Sequence, residues 1–133
     1  MALMNHAASR ILIVDDEPAL LKMMSAYLGR LGIDVITADT TEKAWSEVEA
    51  APSSFAGVVL DATMPGVSME DLALRILLVN PFVRIIAASG YPVDMTAIEA
   101  AAPERVMFLH KPFAPEMLAG AIRRILAAQE EKL

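Results

Sequence analysis

Cysteine is absent, which rules out a disulfide, a thiolate metal site and a cysteine nucleophile. Histidine is scarce: His6 lies in the opening residues and His110 next to Lys111, and neither is expected to act as a catalyst. Basic charge is also in short supply. Seventeen Asp and Glu outnumber eleven Lys and Arg, for a formal net charge of −6, and the densest basic cluster is Arg123-Arg124. A protein that grips nucleic acid directly must neutralise phosphates with Lys and Arg, so direct nucleic-acid binding is not expected. Long apolar runs are missing too. A spanning helix needs about 20 mostly apolar residues, whereas the longest uncharged stretch, Ala50 to Leu60, carries Pro52, Ser53 and Ser54. Residues 1–9 have neither the basic start nor the apolar centre of a signal peptide. These absences lead us to expect a cytoplasmic location without membrane insertion.

The 133 residues suit a single domain, expected over residues 10–129 with short tails at 1–9 and 130–133. We find no internal repeat, low-complexity segment or linker, and expect no output domain after the last helix. Hydrophobic residues make up 56% and the mean hydropathy is +0.47. Such a composition excludes a disordered chain. It fits a sheet covered on both faces or a surface patch reserved for a partner.

Secondary structure alternates along the chain. Arg10 to Val14, Ile33 to Ala38, Ala56 to Leu60, Val83 to Ala88 and Val106 to Leu109 read as short strands. Between the first two, Leu20, Leu21, Met24, Tyr27, Leu28 and Leu31 recur at helical spacing after Pro18, and Gly32 is placed to stop the helix. Asp39 with Glu42 resembles a capping box for a second helix through about Glu49. Ser68 with Asp71 can cap a third, which ends near Asn80 because Pro81 cannot continue it. A short fourth helix is expected over Met95 to Ala101, and a last one from Pro115 to about Gln129. Alternation of strand and helix predicts an α/β fold, a parallel sheet with helices on both faces.

If the strands are parallel, their C-terminal tips meet on one rim, where ligands sit in open α/β sheets. The tips carry Asp15-Asp16, Asp61, Ser89 and Lys111. Three gathered carboxylates repel one another, and a hard divalent ion relieves them. An all-oxygen donor set favours Mg²⁺ or Mn²⁺ over zinc. Such a rim suits a transferable phosphoryl group, with Lys111 as a second positive charge and Ser89 as a hydrogen-bond donor. Asp61 itself can serve as the nucleophile, since a carboxylate needs no general base at neutral pH.

In order along the chain, Ile11-Leu-Ile-Val-Asp15-Asp16-Glu17-Pro18, Asp61-Ala-Thr-Met64-Pro65-Gly66, Ser89-Gly90 and Lys111-Pro112-Phe113 resemble the motifs of bacterial response-regulator receiver domains. The resemblance covers about Arg10 to Gln129. It implies a doubly wound, flavodoxin-like five-stranded sheet in the order 2-1-3-4-5. It implies that Asp61 accepts phosphoryl from a sensor histidine kinase or histidine-phosphotransfer protein. Mg²⁺ would be bound by Asp16, Asp61 and the backbone carbonyl of Thr63, with Asp15 acting through a water. Lys111 would pair with the phosphoryl group, and the Lys111-Pro112 bond is a candidate for cis. Ser89 and Phe108 would form the switch, while Thr63 and Tyr91 stand where the family tunes phosphoryl lifetime.

The resemblance also implies a partner surface on the fourth helix, fifth strand and fifth helix. Met95, Ile98, Met107, Met117 and Ile122 are its apolar candidates, and a homodimer is one use of it. No enzymatic turnover is implied beyond self-catalysed phosphoryl transfer and hydrolysis. An aspartyl-nucleophile phosphatase would need an acid where Thr63 stands. Ser89-Gly90-Tyr91-Pro92 also resembles receivers of hybrid sensor kinases, which gives a phosphorelay intermediate as the alternative. Met69 stands where many relatives have glycine, so the loop before the third helix is expected to take a different path.

Overall fold

The computed structural model describes residues 8–131; residues 1–7 of the expected N-terminal tail, and His6 with them, lie outside the described residues. The described strands are β1 (Arg10–Val14), β2 (Asp34–Ala38), β3 (Phe55–Asp61), β4 (Arg84–Ser89) and β5 (Val106–His110). The α-helices are α1 (Pro18–Arg30), α2 (Thr41–Ala50), α3 (Met69–Val79), α4 (Thr96–Ala101) and α5 (Pro115–Glu131). All strand pairs are parallel, and the order is β2-β1-β3-β4-β5. This is the doubly wound, flavodoxin-like α/β fold.

Local signals explain most element boundaries. Pro18 occupies the first turn of α1, where its missing N–H costs nothing. Gly32 ends that helix at φ 81°, a left-handed conformation that a side chain would strain. The Ser68 hydroxyl accepts the Asp71 amide at 3.1 Å and caps α3 as the spacing predicts. The capping box assigned to Asp39 and Glu42 is corrected. Thr40, one residue nearer the helix, is extended, and its hydroxyl accepts the Lys43 amide at 3.0 Å. Asp39 lies outside the helix and instead pairs with Lys43 Nζ at 2.9 Å, which together with a hydrogen bond from Lys43 holds its carboxyl below the usual carboxylate range. Residues 52–54, expected as loop, form a single 3-10 turn. α5 runs past the expected Gln129 to Glu131.

Both faces of the sheet are covered. Leu12, Val14, Val58, Leu60 and Ile85 pack under α2, α3 and α4. Ile11, Ile13, Val59, Ile86 and Leu109 pack under α1 and α5. Each fully buried Leu, Ile or Phe contributes about 1.5–3 kcal/mol relative to exposure. β3 lies in the middle of the sheet and is buried along its whole length, which is why its last residue, Asp61, is buried as well. High hydropathy also leaves an exposed remainder, since Leu78 is 84% and Phe82 62% accessible.

One buried amide ties the lower end of α3 to the sheet. Asn80 Nδ2 donates to the carbonyls of Pro52 at 2.7 Å and Phe55 at 2.9 Å. Asn80→Ala removes both bonds and strands the buried Phe55 carbonyl, so we expect a loss of about 2 kcal/mol. Urea unfolding should show a lower midpoint at unchanged slope; an unchanged midpoint would show that the amide contributes nothing.

Candidate functional site

The chain runs from β1 outward to β2, then returns to β3 and proceeds the other way through β4 and β5. The crevice at that reversal lies between the C-terminal tips of β1 and β3. Asp15 and Asp16 follow β1, and Asp61 closes β3. Their carboxylates offer oxygens that all lie within 4.8 Å of one another, with Asp15 and Asp61 buried and Asp16 exposed.

Three strand tips leave the sheet by the same device. Asp15 Oδ1 accepts the amide of Glu17 at 3.0 Å. Asp61 Oδ1 accepts the amide of Thr63 at 3.0 Å. Ser89 Oγ accepts the amide of Tyr91 at 3.0 Å. In each case a short polar side chain satisfies the backbone donor two residues on, as the chain turns out of the ladder. Each turn spends one oxygen on the backbone. For the two aspartates, Oδ2 remains for the crevice.

Lys111 meets both remaining oxygens. Its Nζ lies 2.7 Å from Asp15 Oδ2 and 3.5 Å from Asp61 Oδ2. β5 delivers it there: the Lys111 amide donates to the Ser89 carbonyl at 2.8 Å, and the Lys111-Pro112 bond is cis. Partial burial disfavours the ammonium. The hydrogen bond and charge of Asp15, with the charge of Asp61, outweigh that and hold the Lys111 pKa above the ordinary 10.5. A raised folded-state value means that the stabilisation is fully present below the ordinary pKa and is lost only in strong alkali.

Asp15, Asp16, Asp61 and Lys111, predicted from sequence as one cluster, are thus brought together. Thr63 is exposed at the crevice mouth, and its hydroxyl adds a second bond to Asp61 Oδ1 at 2.9 Å. Ser89 is buried at the tip of the neighbouring strand. Two predicted residues face outward instead. Tyr91 is 72% and Phe108 38% accessible, and Phe108 stands edge-on to His110.

The predicted apolar partner surface needs correction. Ile98 and Ile122 are fully buried, and Met95 and Met107 pack against the two cores. These four side chains turn toward the cores, so of the five only Met117 is exposed. Met69 does not take a left-handed conformation. It is the first residue of α3 and packs in the core, while Gly66 supplies the positive φ of 97° in the loop.

Sequence reasoning missed two features. One is the shared turn, whose signal was an Asp or Ser ending each apolar run. The other is an apolar hollow of about 370 Å³ beside the crevice, lined by Leu20, Pro112 and Phe113 together with Glu17, Gly90 and Lys111. The hollow forms between α1 and the turn after β5, a juxtaposition that only the fold creates.

Chemically, the crevice is an all-oxygen pocket suited to a hard divalent cation, with one ammonium already in place. No helix among the described residues is long and apolar enough to cross a membrane.

The family description "response regulator receiver domain" matches residues 11–123. The DNA-binding transcriptional regulator NtrC of Azospirillum brasilense is 31% identical over 120 residues, covering 90% of this chain and 24% of that protein. The chain spans about a quarter of the length of the first curated relatives it matches. A CheY-like receiver domain protein from Methanospirillum hungatei JF-1 has a similar structure, with a TM-score of 0.82 at 25% identity, covering 94% of this chain and 98% of that one. The receiver domain of the hybrid histidine kinase CckA gives a TM-score of 0.76 at 26% identity, with 88% and 98% covered. Because the matched span holds Asp15, Asp16, Asp61, Ser89 and Lys111 within the same fold, this chain belongs to the response regulator receiver domain family of two-component systems.

Proposed function

We propose that this receiver is a phosphorylation switch in which Asp61 takes a phosphoryl group from a phosphohistidine on a sensor histidine kinase or phosphotransfer protein. The observation that carries this reading is the pairing of Lys111 Nζ with Oδ2 of both Asp15 and Asp61, inside a cluster of three carboxylates. Asp61 Oδ1 already accepts two hydrogen bonds from Thr63. Oδ2 is therefore the oxygen left to attack phosphorus, as the bond from phosphorus to the imidazole nitrogen breaks. The new acyl phosphate forms beside Lys111, which stabilises its charge.

The oxygen donor set of Asp15, Asp16 and Asp61 fits Mg²⁺, and the Thr63 carbonyl is a further candidate ligand. When bound, that ion would screen the acids against an incoming anionic phosphoryl group. Ser89 Oγ accepts the Tyr91 amide and keeps its hydroxyl hydrogen to donate to the phosphoryl group. A shift of Ser89 toward that group would couple the site to Phe108 and Met117, which are exposed on β5 and α5, and so to a downstream protein or a second copy of the chain. Thr63 and Tyr91, at the mouth, would set phosphoryl lifetime. The chain turns over no separate substrate in this reading, and it works in the cytoplasm. Likeness to a hybrid-kinase receiver supports the relay alternative, which predicts onward transfer from Asp61 to a phosphotransfer histidine.

Asp61→Asn should abolish incorporation of label from acetyl phosphate with Mg²⁺; undiminished incorporation would place the acceptor elsewhere. Lys111→Ala should cut the labelling rate by about 100-fold while leaving Mg²⁺ affinity equal or higher, because it removes a cation that competes for Asp15 and Asp61. A parallel fall in both would contradict the role given to Lys111. Mg²⁺ should stabilise the wild-type protein by about 1.4 kcal/mol at ten times its Kd, seen as a rise in Tm. Asp16→Asn should reduce that rise, and a Tm indifferent to millimolar Mg²⁺ would count against the metal site.

A further inference from the structure

The opposite end of the sheet gathers arginines. Arg84 opens β4 and Arg105 directly precedes β5. Ile85 stands opposite Val106, and its amide donates to the Arg105 carbonyl at 2.8 Å, so Arg84 and Arg105 are cross-strand neighbours. Strand side chains alternate between faces. Ile86 and Met107, each two residues further on, pack in the layer under α1 and α5, which puts both arginines on that side. Arg124 of α5 joins them around a cavity of about 90 Å³.

Like charges on adjacent positions of neighbouring strands destabilise a sheet unless something neutralises them. Nothing described does so here. Arg84 Nη1 reaches only the Glu104 carbonyl, at 3.4 Å, and Arg105 Nη1 the Val83 carbonyl, at 3.0 Å. Carbonyl oxygens satisfy a donor but carry no net charge. Arg84 Nε is buried with no hydrogen-bond partner. The ion pairs found among the described residues involve Arg10, Lys43 and Lys111 and none of these three arginines. Glu104 lines the same cavity without pairing. A guanidinium does not shed its proton in proteins, so pH offers no relief. Three uncompensated cations share one notch in a chain whose net charge is −6.

We propose that this notch binds a small oxyanion of the phosphate or sulfate class, independently of the carboxylate site at the other end of the strands. A water needs about 10–15 Å³ of such space, so a cavity of about 90 Å³ has room for one tetrahedral anion. Guanidinium forks match phosphate oxygens in a planar, paired geometry. The bound anion would tie the start of β4 and β5 to α5.

Sodium sulfate titrated into ¹⁵N-labelled full chain, with EDTA present and ionic strength held constant with chloride, tests this by amide shifts. Saturable shifts are expected at residues 84–86 and 104–107. Arg124→Gln, on an exposed helix position, should weaken the apparent affinity about tenfold with the spectrum otherwise native. Arg84→Gln with Arg105→Gln should abolish saturation; Arg124→Gln carries the test if that double variant does not fold. Inorganic phosphate should reproduce the sulfate shifts. Shifts matched by chloride alone, shifts centred on Lys111, or saturation unchanged in Arg124→Gln would each overturn the proposal.

Discussion

Three carboxylates and one ammonium share the rim where β1 and β3 end, and the rest of the structure is arranged around that imbalance of charge. Lys111 Nζ compensates Asp15 and Asp61 together, while Asp16 stays exposed and unpaired by it. A single cation among three acids leaves the crevice short of positive charge. That deficit makes the site receptive to a hard metal ion, and it keeps the Lys111 ammonium charged. Acids that are buried but only partly neutralised cost stability, and here they sit where the topology opens a crevice.

The sheet makes this arrangement rigid. β3 is central and buried throughout, so Asp61 cannot retreat into solvent. The turns at Asp15, Asp61 and Ser89 each fix one side-chain oxygen against the backbone. A fixed Oδ1 orients Oδ2, and preorientation of this kind costs no rearrangement when a reactant arrives. Ser89 is held by a single contact of this kind: its oxygen accepts the Tyr91 amide, and its hydroxyl hydrogen stays available to a further acceptor.

The high apolar content has two destinations. Most of it fills the two layers beneath the helices. A smaller part reaches the surface, at Phe108 on β5, Met117 on α5, Leu78 in α3 and Phe82 just after it. The two ends of the sheet also differ in charge, since acids crowd the C-terminal tips while Arg84, Arg105 and Arg124 crowd the start of β4 and β5.

The order of elements, the parallel sheet and the identities of Asp15, Asp16, Asp61, Ser89 and Lys111 were legible in the residues themselves. Each is a local signal: an apolar run of strand length ended by a polar residue, and a helical stripe between capping and breaking residues. Where two local signals competed, as at Asp39 and Thr40, the sequence could not choose, because one residue of helical phase decides which side chain meets the free amides. Distances lay beyond it altogether. That Lys111 bridges Asp15 and Asp61 depends on strands far apart in sequence becoming neighbours. The exposure of Phe108, the burial of Ile98 and Ile122 and the pairing of Arg84 with Arg105 depend on which face each residue presents once the helices dock. Sequence determined which chemical groups end the strands; tertiary structure decided which of them touch, because contact is set by strand order and face, and neither is a property of any one segment.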